Sequence, residues 1–284
     1  MRARRESRDD IAARRMASGQ RLHIQRPPRP VPPRGLIFLA SAWLVASWLL
    51  SLGIRPPVQT HAASYAPSVR SMLLAIVIGF SVGWPLVRLS GAPRAWPIRQ
   101  ALLDAIVLGC LAQVIVWPLR LVTPWLPERS AAIDLCLGGW AMLTAAFVAL
   151  GTVPAQRGGA WLRAGSMAAC VAAIAAGPMI AFAIDGSLPF AAMPQSSEEW
   201  WAWARWSPIT AMHALSAPDP TALTTVEWRA ARTGWIIAIA AWIAVVAAQP
   251  FLRRLTRIDA TETTLPAGQP PDESSESADP PPRE

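Results

Sequence analysis

Apolar positions come in six long blocks, separated by connections that carry the prolines and most of the charges. The blocks run from Gly35 to Ile54, Ser71 to Ser90, Ala101 to Val122, Ala131 to Val153, Ala164 to Ile184 and Thr233 to Leu252. Each is about 20 residues long, the length at which a helix rising 1.5 Å per residue crosses a hydrocarbon layer of about 30 Å. The pattern predicts an all-α, polytopic membrane protein with six transmembrane helices.

Arginine placement predicts which way the crossings run. Ten arginines precede the first block, Arg88 stands at the end of the second with Arg94 and Arg99 after it, Arg157 and Arg163 follow the fourth, and Arg253, Arg254 and Arg257 the sixth. The alternate connections hold Arg55, Arg70, Arg120, Arg129, Arg205, Arg229 and Arg232, partly offset by Glu128, Asp134, Glu198, Glu199, Asp219 and Glu227. Basic residues collect on the cytoplasmic side of short loops, so both termini are expected in the cytoplasm, as an even number of spans requires. The implied location is a cell membrane of the bacterial inner-membrane kind.

Three regions follow from this reading. Residues 1–34 form a basic, proline-rich cytoplasmic arm. Residues 35–254 form the transmembrane domain, with a long external connection between helices 5 and 6 that holds a helical hairpin at about 186–232. Residues 255–284 are an acidic Pro/Ser tail with almost nothing apolar to bury, and disorder is expected there. The basic arm is too long, and the first block too close to full spanning length, for a cleaved signal peptide.

Composition adds little beyond this frame. The chain is 53% apolar and 15% charged over 284 residues, which suits a membrane protein. Its net charge of +8 lies where membrane orientation needs it, so no nucleic-acid partner is implied. The basic residues are all arginine, which reads as a coding bias rather than selection for phosphate recognition. Cys110, Cys136 and Cys170 each stand alone in an apolar run, without metal-ligand spacing, and read as buried, unpaired thiols.

The long connection carries the most distinctive pattern. Trp200, Trp203 and Trp206 recur every three residues beside Trp201, with Glu198 and Arg205 on the opposite side of a helical wheel. Indoles favour the headgroup level, so this segment is expected to lie at the membrane interface, in contact with lipid. Ser207 followed by Pro208 reads as an N-cap and first helical residue, starting a short helix to Leu215. Asp219 and Pro220 repeat that signature, and a helix from Pro220 is expected to run into the last span.

Inside the spans, Gly79 and Gly83 are four apart and allow close helix approach. The fifth block is rich in alanine and glycine up to Gly177, which predicts a central position in the bundle. Pro178 frees a backbone carbonyl within it, and Pro85 and Pro118 do the same in the second and third. Asp104, Arg120 and Asp134 lie near enough to span ends to hydrate or snorkel, and Arg120 with Asp134 is a candidate polar tie. Gln113 and Thr144 alone are polar near mid-span, too sparse for a coupled-ion transporter. None of His23, His61 and His213 lies in a hydrolase or metalloprotease motif, and there is no phosphate-binding glycine loop. No catalytic, cofactor-binding or metal residue is assigned.

The run Ser207-Pro208-Ile209-Thr210-Ala211-Met212 before the last span, and Arg253-Arg254 after it, lie within a six-span outline that resembles the membrane subunits of ABC-2-type exporters. That resemblance implies a permease half that pairs with a second half and is driven by a separate ATP-binding subunit. Two other readings fit the same residues: a membrane scaffold or assembly protein that moves nothing, and an intramembrane lipid-modifying enzyme using His213, Asp134 or Glu227.

Overall fold

The computed structural model describes residues 34–53, 65–91, 96–153, 159–185, 205–217 and 223–262. Every regular element among them is helical. Helix α1 spans Arg34–Trp48 and passes into a π-turn at Leu49–Gly53. Helix α2 (Ala66–Ile78), a second π-turn (Gly79–Gly83) and α3 (Trp84–Leu89) follow one another without a break. Helix α4 (Pro97–Val116) is followed by a 3-10 turn at Pro118–Leu121. Then come α5 (Pro127–Gly151), α6 (Gly159–Asp185), the short α7 (Pro208–Leu215) and α8 (Thr225–Glu262).

Six of these stretches are long and apolar enough to cross a membrane: Arg34–Leu52, Ala66–Leu89, Pro97–Leu121, Pro127–Gly151, Gly159–Ile180 and Thr225–Pro250. The chain is thus a multi-pass, all-helical membrane protein. Several helices begin earlier than the apolar blocks suggest, at Ala66 rather than Ser71, Pro97 rather than Ala101 and Pro127 rather than Ala131. Proline explains the extension, because its fixed φ is ready for the first turn of a helix, where its missing N–H costs nothing.

Two expectations are corrected at the chain's C-terminal half. Residues 223 and 224 are not helical, so α8 begins at Thr225 and does not run in from Pro220. It then passes through Pro250 and continues to Glu262, so the part of the acidic tail before Glu262 is helical rather than disordered. Residues 263–284 lie outside the described residues, as do the arm before Arg34 and the segment holding Trp200, Trp201 and Trp203.

The central helix is α5, the fourth span, and not the small-residue fifth span. Helix α5 is buried along its length and packs against α4, α6, α7 and α8. Helix α6 leaves Ala164, Gly165, Ala168 and Ala172 exposed. Small side chains gain nothing by leaving lipid, which is as apolar as they are; what counts is a partner shaped to meet them. At the α5–α8 crossing that partner is present. A side chain on Gly139 would come within 2.6 Å of the Trp235 backbone nitrogen, and one on Gly234 within 3.1 Å of the Trp140 ring. The Trp235 and Trp242 indoles donate to the Leu135 and Met142 carbonyls at 2.8 and 3.0 Å, fixing the register of the two helices.

Candidate functional site: a short helix held inside the bundle

Helix α7 does not rest on the surface of the spans. Ser207, Pro208, Thr210, Ala211, Met212, Ala214 and Leu215 are all buried, and the helix packs against α2, α5, α6 and α8. Its first residue, Pro208, shares a narrow crevice with Phe80, Ser81, Trp140 and Ala141. Those residues lie near the middle of Ala66–Leu89 and Pro127–Gly151, so α7 enters the bundle from one end with its N-terminus halfway along the spans. Eight residues of helix make about 12 Å, enough to reach that depth and no more.

The N-terminal end of α7 is held by a proline in another helix. Pro178 has no N–H to offer the Ile174 carbonyl four residues earlier, and the Ser207 hydroxyl donates to that carbonyl at 2.6 Å. Ser207 has extended backbone and precedes the first helical residue as the sequence predicts, but its side chain caps α6 rather than its own helix. Gly177 makes the approach possible, since a Cβ there would come within 2.5 Å of both Ser207 Cβ and the Thr210 hydroxyl. The Ser207 carbonyl in turn accepts from the Ala211 N–H at 3.0 Å and the Thr210 hydroxyl at 3.2 Å.

The C-terminal end is held by charge. Arg129, only 1% exposed, donates from Nη1 to the Leu215 carbonyl at 3.2 Å and reaches Glu227 Oε1 at 3.4 Å. A guanidinium at the last carbonyls of a helix meets both an unsatisfied acceptor and the negative end of the helix dipole. The other oxygen of Glu227 accepts from the Thr224 N–H at 2.7 Å and its hydroxyl at 3.0 Å, while the Glu227 N–H donates to Thr224 Oγ1 at 3.3 Å. Thr224-x-x-Glu227 is therefore a capping box that starts α8. One carboxylate thus joins the start of α8 to α5 and, through Arg129, to the end of α7. The Trp125 indole adds a bond to the Ala217 carbonyl at 3.2 Å.

His213 faces the second span, where Arg70 Nη1 lies 3.4 Å from its Nε2. Arginine can only donate, so Nε2 is the acceptor and the ring is neutral. Burial, and secondarily the Arg70 charge, lower its pKa from the ordinary 6.5 to about 4. The folded form therefore favours the neutral ring, and its contribution to stability is complete above about pH 6.5 and is lost as the pH falls toward 4. Unfolding temperatures measured between pH 7 and 4 are expected to decline through that window, and His213→Gln, which keeps an acceptor for Arg70, is expected to flatten the decline.

The other sequence candidates have separate partners. Asp134 accepts from Gln113, whose carbonyl oxygen is itself bonded by the Trp117 indole, while Arg120 is exposed and makes no ion pair among the described residues. The expected Arg120–Asp134 tie is thus replaced by Gln113, which faces Asp134 from the neighbouring span. Asp104, fully buried, does not snorkel: it is paired with Arg88 at the end of α3 and accepts from Gln100 at 2.9 Å. Gly79 abuts the Trp43 ring and Gly177 abuts α7, but Gly83 faces open space. Thr144 bonds back to the Trp140 carbonyl at 2.9 Å. Cys136 and Cys170 are buried, whereas Cys110 is exposed. Trp206 is exposed, with the Arg205 guanidinium 5.3 Å above its ring. His213, Asp134 and Glu227 each answer to a different neighbour, and no three His, Cys, Asp or Glu side chains converge among the described residues.

Removing the Ser207 hydroxyl leaves the partly buried Ile174 carbonyl without its donor, which costs about 1–3 kcal/mol. Ser207→Ala is expected to lower the unfolding temperature in detergent. Adding Pro178→Ala to it, which returns an N–H to that carbonyl, is expected to recover part of the loss.

Comparison of the chain with protein-family models, with characterised proteins and with solved structures finds no match.

Proposed function

We propose that this chain is the membrane subunit of a permease, a half of ABC-2-like design that works with a second half and a separate ATP-binding subunit. The observation that carries the reading is α7, the short helix in the connection between the fifth and sixth spans. It is seated N-terminus first among α2, α5, α6 and α8 and tied at both ends. A half-length helix of this kind occupies the interior from one side only, and so stands across any route that opens between the spans.

Two further features support a driven subunit over a self-sufficient machine. The buried ion pairs, Arg88–Asp104 and Arg129–Glu227, lie toward the span ends, and among the described residues they form no relay through the middle. The groups named for an enzyme are each engaged in a structural bond. Energy for movement would then come from a partner.

Purification of the tagged full chain in mild detergent, with identification of what accompanies it, tests this. An ATP-binding polypeptide recovered in stoichiometric amount is the expected result. A stable chain that emerges alone, or with structural proteins only, would instead favour the scaffold reading and remove the permease.

A further inference from the structure

Arg205 and Trp206 immediately precede the inner end of α7 and so lie well inside the span ends. Pro208 shares its crevice with Phe80 and Trp140, which stand at least about 13 Å from either end of their spans. Ser207 is bonded to α6 at Ile174, and Arg205 is two residues before it, within about 7 Å. The Arg205 guanidinium lies over the Trp206 ring, 5.3 Å from its centroid. A charge at such a depth carries a desolvation cost that a counter-ion normally offsets. Arg205 has no such partner among the described residues: Asp104 is paired with Arg88, Glu227 with Arg129, and Asp134 is bonded by Gln113. Its Nε is buried and meets no acceptor. The indole face attracts the cation without neutralising it.

The backbone beside it carries the same sign. Helix α7 starts with no side-chain cap, because the Ser207 hydroxyl is committed to Ile174, and Pro208 brings no N–H. The positive end of the helix dipole therefore stands uncapped three residues from Arg205. A side-chain cation and an open helix start at one place call for an anion. The exposed Trp206 ring and the apolar spans around it suit an apolar body behind that anion.

We propose that Arg205 and the start of α7 bind the anionic group, phosphate or carboxylate, of an amphipathic molecule. On the permease reading this is the class of the substrate; that word rests on the reading, whereas the binding does not. The test uses the full chain immobilised in an uncharged maltoside detergent and radiolabelled dodecyl phosphate, with bound label read by scintillation proximity. Saturable one-to-one binding is expected, displaced by laurate. Dodecyltrimethylammonium, which has the tail and the opposite charge, and inorganic phosphate, which has the charge alone, are expected not to displace it at the same concentration.

Arg205→Gln is expected to weaken binding about ten-fold, the worth of one hydrogen bond to a charged group, and Arg205→Lys to retain much of the affinity. Without ligand, Arg205→Gln is expected to melt with the parent, since it breaks no hydrogen bond or ion pair among the described residues, and dodecyl phosphate is expected to raise the unfolding temperature of the parent but not of this variant. Unchanged affinity in Arg205→Gln would overturn the proposal, as would equal displacement by the ammonium or by inorganic phosphate. So would an Arg205→Gln protein that is unstable without ligand, because the arginine would then be serving the fold. An ATP-binding partner recovered with no saturable binding would leave the permease and remove the anion site; binding without a partner would do the reverse.

Discussion

Arg129→Met is expected to destabilise the protein by about 3–5 kcal/mol, because it removes one partner of a buried ion pair and leaves the other charged and unpaired. Here the loss has two parts. Glu227 keeps its bonds to Thr224 but loses its cation, and the Leu215 carbonyl at the end of α7 loses its donor. Glu227→Gln is expected to be much milder, since glutamine can still complete the capping box and Arg129 retains Leu215. Adding Glu227→Gln to Arg129→Met should then restore part of what Arg129→Met lost, because the stranded charge is gone. Thermal unfolding in detergent measures all three variants. An Arg129→Met protein that melts with the parent would mean that α7 is held by packing alone.

The second large effect is expected at the opposite end of the bundle. Asp104→Leu leaves Arg88, itself buried, without its carboxylate, and the expected loss is again about 3–5 kcal/mol. The informative variant removes both charges. Buried pairs owe much of their apparent worth to the cost of stranding one member, so Arg88→Met with Asp104→Leu should lie close to the parent in stability. If the double variant is instead as unstable as Asp104→Leu, the pair contributes net attraction beyond mutual neutralisation, and Gln100, which bonds the same carboxylate, becomes the place to look.

The two ion pairs also show what the sequence discloses and what it withholds. Arg88 falls at the end of the second span and Asp104 about two turns into the third, across a short connection, so their meeting follows once those spans are neighbours. Thr224-x-x-Glu227 announces the start of α8 to anyone weighing capping boxes, and it outranks the Asp219-Pro220 signature because its two members satisfy each other. The spans themselves are legible because lipid leaves a backbone no alternative to helix.

The burial of α7 is a different matter. Its eight residues resemble any capped helix in a connection, and only the meeting of Ser207, Gly177 and the carbonyl freed by Pro178 draws it inward. That meeting joins residues 33 apart in the chain and has no local signature. The centrality of α5 was hidden for a like reason: small residues abound in α6, but the tryptophans that fit glycine lie on α8 and α5.

The π-turn at Gly79–Gly83 has an effect that reaches well past its own five residues. Inserting one residue into a helix that otherwise makes 3.6 per turn advances everything downstream by about 100° in azimuth. Trp84, Arg88 and Leu89 all lie downstream, and so the bearing of the Arg88 guanidinium onto Asp104 is set by a widening of the rod a turn and more earlier. Excision of a single residue from that loop of backbone would swing the cation out of alignment with its counter-ion without touching either one.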